Sequence, residues 1–234
     1  MLTDKTVEIL TERYQKKDME IWLKKEQFQS LFLEAVKDYF PKLKQRYADQ
    51  TIYGISFEIG NTIQKVYYDS FKTQVYFNTE EDYQENIEDC EKEEESYYRF
   101  EAWAEWNVEC AQTPLFEKME EYLEQNSLYM CSSITEKDKD KLEEAAFEWY
   151  YENTLEFEEA FEDEAEQIRM WAAEALGKLR KEGFWEQQGS AKIYVIPFGG
   201  EDDIESEELL ETYHIMDAGC HGTEYEEYIA SLDV

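Results

Sequence analysis

The chain carries two histidines, His214 and His221, and four cysteines, Cys90, Cys110, Cys131 and Cys220. These are its whole stock of imidazole bases and thiol ligands. The cysteines lie 20, 21 and 89 positions apart, so no CxxC pair exists to grip zinc. Cys220-His221 is the one Cys–His neighbour pair, and adjacent side chains rarely meet as a thiolate and its base must. Glu211-Thr212-Tyr213-His214 supplies a single Glu-x-x-His, whereas a di-iron bundle needs that motif on two facing helices. No GxxxxGK[ST] loop, GxGxxG turn or GxSxG elbow occurs, which leaves nucleotide and serine-hydrolase chemistry without support. Reduced thiols and no cofactor are the expectation.

Carboxylates are the abundant chemistry. Acids number 57 and bases 23, a formal charge of −34. The first fifty residues are nearly balanced, with ten bases and nine acids, so the whole surplus lies beyond them. Residues 143–166 hold eleven acids and no Lys or Arg, and residues 201–234 hold twelve acids and no Lys or Arg. Direct nucleic-acid binding is excluded, because phosphates demand clustered Lys and Arg. A basic protein is the partner such a surface suits, since complementary charge raises the association rate. Glu152, Glu156, Glu159, Glu162 and Asp163, with Glu201, Asp202 and Asp203, are therefore the expected partner-binding residues. Asp202 and Asp203 could also bind a divalent cation, but solvated acids are the ordinary fate of such runs, and no metal site is expected. Glycosidase-type carboxylate pairs cannot be picked from 57 acids.

Phe28, Phe32, Ala35, Val36, Tyr39 and Leu43 recur at helical steps, and Pro41 is expected to kink or end that helix. Ile52 to Ile59, Lys65 to Tyr68 and Thr73 to Phe77 read as strands of a small antiparallel meander, with Gly60-Asn61 as a turn. Asn78 or Thr79 should cap a following helix. Pro114 should open another, turning Leu115, Met119, Tyr122 and Leu123 inward. Residues 135–182 have Gly177 as their only glycine and no proline. Leu142, Ala146, Trp149, Phe157, Phe161, Ala165, Ile168, Ala172, Leu176 and Leu179 form one stripe there. Asn153 and Thr154 interrupt it, which predicts two helices or one bent helix, and Gly183 should cap its end. Ala191 to Pro197 reads as a buried strand, Ile204 to Leu210 as a short helix, and the last dozen residues as loosely held. The aromatic run Tyr97, Tyr98, Phe100, Trp103 and Trp106 could form a recognition surface, but the core is the expected fate of Trp103 and Trp106.

The fold class that follows is α+β, a small antiparallel sheet surrounded by helices in a single compact domain. Its divisions are a helical extension at 1–24, a core domain at 25–215 and an acidic tail at 216–234. Apolar residues make up 42% of the chain and aromatics 16%, too much for a disordered acidic tail. No apolar run approaches the roughly 18 residues of a membrane span. Met1-Leu2-Thr3-Asp4 opens no signal peptide, so a cytoplasmic location is expected.

Six short motifs appear in order. Tyr53-Gly54-Ile55-Ser56-Phe57 precedes Asn78-Thr79-Glu80-Glu81, then Arg99-Phe100 and Glu105-Trp106. Glu182-Gly183-Phe184 closes a long helix, and Ile193 to Phe198 forms a strand before an acidic patch. This order, over roughly residues 25–215, resembles a bacterial family catalogued as domain of unknown function 4303. Two departures stand out: the family's Arg-Trp is Arg99-Phe100 here, and residues 125–160 run longer than its usual spacing. Members of that family resemble small acidic proteins encoded beside bacterial toxins. The resemblance thus implies an immunity role and no catalytic residue. The function expected is an immunity-type protein that binds and neutralises a cognate toxin through its acidic surface. The alternatives are a DNA mimic that inhibits a nucleic-acid-binding defence enzyme and, weakest given two histidines, a metal-dependent enzyme built on carboxylates.

Overall fold

Eight consecutive residues of one strand are buried, and the rest of the architecture is arranged to cover them. In the computed structural model, β1 (Ile52–Ile59) lies inside a four-stranded sheet of order β3-β2-β1-β4, with β2 at Thr73–Thr79, β3 at Asn107–Cys110 and β4 at Tyr194–Val195. The structure describes residues 4–59, 72–87, 107–128, 131, 134–188, 193–197, 206–219 and 224–232. The expected strand at Lys65 to Tyr68, the Gly60-Asn61 turn and the aromatic run at 97–106 lie outside these residues.

Strands β1 to β3 pair antiparallel, but β4 runs parallel to β1. The sheet is therefore mixed, a correction to the all-antiparallel expectation. A parallel neighbour requires a long crossover, and the helices between β1 and β4 supply one. Ser56 Oγ donates to the Ile196 carbonyl at 2.9 Å and pins this edge. A register shift between Ile52 and Gly54 puts Ile52 and Ile55 in the same core despite their odd spacing.

Helices cover both faces. On one face lie α2 (Lys25–Arg46), α4 (Pro114–Asn126) and the second half of α6 (Thr154–Lys181), contributing Phe28, Phe32, Phe40, Met119, Ile168 and Leu176 to the main core. On the other, α8 (Ser206–Asp217) and α9 (Glu224–Leu232) bring Leu209, Tyr213, Tyr225 and Tyr228 against Tyr53, Tyr194 and Ile196. The end of the chain is thus tied by buried tyrosines, and the loosely held tail is corrected. The helix expected over Ile204 to Leu210 extends instead to Asp217. A third cluster joins Leu10 of α1 (Asp4–Lys16) to Ala146, Phe147 and Tyr150 of α5 (Glu144–Glu152) and to Phe157 of α6.

Local chemistry sets the boundaries. Thr79 caps α3 (Glu80–Asn86), its hydroxyl accepting from the Asp82 amide at 3.1 Å. Thr113 caps α4 in the same way, with Pro114 at the first turn. Gly183 takes φ +71 at the end of α6, a left-handed geometry that glycine adopts freely, before the short α7 (Phe184–Gln187). Pro41 does not end α2, which continues to Arg46. An interior proline costs about 3 kcal/mol, and the fully buried Phe40 and Leu43 on either side offset that at roughly 1.5–3 kcal/mol each.

Candidate protein-binding surface

The acidic run at 143–166 folds as α5 and α6 with a one-residue break at Asn153. Side chains make that break. Asn153 Nδ2 donates to the Trp149 carbonyl at 2.7 Å, and Thr154 Oγ1 donates to the carbonyls of Tyr150 and Tyr151 at 3.1 and 3.0 Å. Such local bonds compete with the helical ladder. The inner faces are fixed by packing: Tyr150 Oη donates to the Leu10 carbonyl at 2.6 Å, and Trp149 meets Phe157 edge-on at 5.4 Å.

With that stripe inward, the opposite face must look out. Glu152, Glu156, Glu159, Glu162 and Asp163 are all exposed. Glu156, Glu159 and Asp163 follow three- and four-residue steps, so they line one side of α6 with about 5.4 Å per turn. Among the described residues, Glu152, Glu156, Glu159 and Asp163 accept no hydrogen bond and meet no cation. Two large apolar side chains are bared beside them, Tyr151 at 63% and Leu155 at 72% exposure. Sequence reading missed both. Their signal was an absence, since neither falls on the inward stripe while both lie between acids.

Glu164 breaks the pattern. It belongs to the same run but is fully buried. Its carboxylate accepts from the Leu128 amide at 2.9 and 3.1 Å and from the Ser127 hydroxyl, fastening the end of α4 to α6. Glu201, Asp202 and Asp203 lie outside the described residues, as do Cys90, Cys220 and His221.

The remaining polar centres are occupied internally. On β3, Glu109 accepts from Tyr39 Oη at 2.9 Å and Tyr47 Oη at 3.2 Å and pairs with Arg46. Burial, then the Glu109 charge, holds the Tyr39 hydroxyl well above its usual range. His214 on α8 meets Glu226 of α9 at 2.8 Å, a tie between helices. Cys131 is buried and its thiol is pushed up to about 12 by that burial, so it stays protonated and is no nucleophile at neutral pH. Burial also raises Glu58 on β1 above the ordinary carboxylate value, opposed by a bond from Tyr76 Oη at 3.1 Å. Among the described residues no group of three or more His, Cys, Asp or Glu side chains could hold a metal ion. Nor is any helix there long and apolar enough to cross a membrane.

Among the described residues this arrangement is a face of carboxylates without partners, Glu152, Glu156, Glu159 and Asp163, around two exposed apolar side chains. Comparison with protein-family models, curated proteins and solved structures finds no match.

Proposed function

We propose that this chain is an immunity-type binding protein that neutralises a basic bacterial toxin in the cytoplasm by covering it with the α5–α6 face. The observation that carries the reading is Tyr151 and Leu155 bared among Glu152, Glu156, Glu159 and Asp163. The carboxylates would steer a positively charged partner and set its orientation. The apolar side chains would anchor it, as buried aromatics do at the centre of protein interfaces. A second copy of the chain is a poor occupant, because it would set like charges face to face. Mimicry of DNA alone would use the carboxylates and leave Tyr151 and Leu155 without a role.

The test is affinity capture with the neighbouring open reading frames co-expressed, washed at about 0.1 M and about 1 M salt, where the Debye length falls from about 10 to about 3 Å. One basic protein should be held, more weakly at the higher salt. Tyr151→Ala with Leu155→Ala should weaken capture at both salts. Glu156→Gln, Glu159→Gln and Asp163→Asn together should weaken it chiefly at low salt. Failure to retain any basic protein would overturn the proposal.

A further inference from the structure

The acidic side of α6 does not stop at Asp163. Continuing at the same helical steps, Asp163, Glu166, Gln167, Met170, Trp171 and Glu174 line a shallow groove open to solvent. Asp163 and Glu166 are exposed and, among the described residues, have no cation or hydrogen-bond donor. Trp171 is half-buried, braced by the Phe28 ring at 6.2 Å, and no described cation lies over it. At the far end the molecule already seats an ammonium in this setting. Lys25 Nζ reaches Glu174 at 2.6 Å, while Gln29 Nε2 donates to Glu174 at 2.8 Å and to the Trp171 carbonyl at 3.0 Å. These bonds hold the Glu174 carboxyl below its usual range against the effect of burial.

We infer that this groove receives an arginine side chain of the basic partner, a step that rests on the function proposed above. The guanidinium would pair with Asp163 and Glu166, its flat face would stack on Trp171, and its methylenes would lie along Met170. Arginine suits such a slot better than lysine, because its planar, weakly hydrated head forks onto carboxylates and stacks on an aromatic ring. The groove is continuous with the face holding Leu155: Asp163 lies eight residues on, about 12 Å along the helix. A partner anchored on Tyr151 and Leu155 would therefore carry its arginine about two helical turns away.

The test uses the whole chain and capped hexa-arginine as probe. The indole N–H signal of Trp171 is assigned by its loss in Trp171→Phe. Hexa-arginine should move that signal, and Asp163→Asn with Glu166→Gln should weaken the response about fivefold, the combined worth of two exposed ion pairs. Both are exposed positions without internal partners, so the fold is kept. Capped hexa-lysine should act more weakly than hexa-arginine, and equal affinity would overturn the guanidinium assignment. If hexa-arginine moves the amides of residues 152–163 but not the Trp171 indole, the groove inference fails and the proposed function stands. If it moves neither, both fail.

Discussion

A glycine in the middle of a long helix ordinarily costs stability, by about 0.5–1 kcal/mol relative to alanine. On propensity alone, Gly177→Ala should therefore stabilise α6. The packing demands the opposite sign. A Cβ built on Gly177 would lie 2.1 Å from the Ile215 carbonyl oxygen and 3.2 Å from its carbon. Both are backbone atoms of α8, so no rotamer change can relieve the clash. Ordinary contact begins near 3.4 Å, and the two helices would have to part by about 1.3 Å. Overpacking of this kind costs about 1–3 kcal/mol, and it would loosen Met216 from the main core and Tyr213 from the tyrosine cluster. A 2.1 Å approach to a backbone atom puts the cost in the upper part of that range, about 2–3 kcal/mol. After the propensity gain, a net loss of about 1–2.5 kcal/mol remains, or about 2–10 °C in a chain of this size. Thermal unfolding followed by circular dichroism reads it, with a urea titration to check that the m-value is unchanged. Hydrogen exchange should quicken in α8 more than in α2. A midpoint equal to or above that of the unaltered protein would refute the close crossing of α6 and α8.

Glu164→Ala should cost about 3 kcal/mol in a urea titration, because the Leu128 amide and Ser127 hydroxyl lose a buried acceptor, with Glu164→Gln costing less. Glu58→Gln should raise the melting midpoint at pH 7, because the ionised carboxylate is the form that burial penalises. The sign follows from burial raising the folded carboxyl above its ordinary 4.5: its favourable contribution is complete below 4.5 and is lost as pH rises through the folded value. Melting curves at pH 7 and pH 4 check this, and a gain as large at pH 4 as at pH 7 would refute it.

Much of the fold was legible because it is written in local chemistry. The Thr79 cap, the start of α4 at Pro114, the break at Asn153 and the left-handed Gly183 each depend on residues within four positions of one another. The inward faces of α2 and α6 were legible because helical periodicity persists over many turns. The direction of β4 was not, since it depends on where a long crossover returns the chain. Nor was the ordered C-terminal helix, whose first five residues mix acids with the tyrosines that bury it, Tyr225 and Tyr228. The candidate surface was half legible. Its acids were countable, but nothing local separates Glu164 from Glu162. The donors that bury Glu164 are 36 and 37 residues away.

That difference divides the carboxylates into two populations. One does structural work at long range: Glu164 on the end of α4, Glu120 on the Thr73 amide at 2.7 Å, Glu109 on two tyrosines and an arginine, Glu81 on the Thr51 amide at 2.7 Å. Each satisfies donors from another element, so the fold itself accounts for it. The other population, Glu152, Glu156, Glu159 and Asp163, joins nothing among the described residues, while its mutual repulsion opposes folding. A solvated face would account for these acids taken alone, since charge keeps a protein apart from its copies. It would not account for Tyr151 and Leu155 in their midst, where solubility favours further charge. Repulsion among carboxylates and exposure of apolar surface are separate penalties with different physical origins. A basic partner with an apolar centre relieves both in one contact, and this coincidence on one short stretch of α5 and α6 favours a binding face over a merely solvated one.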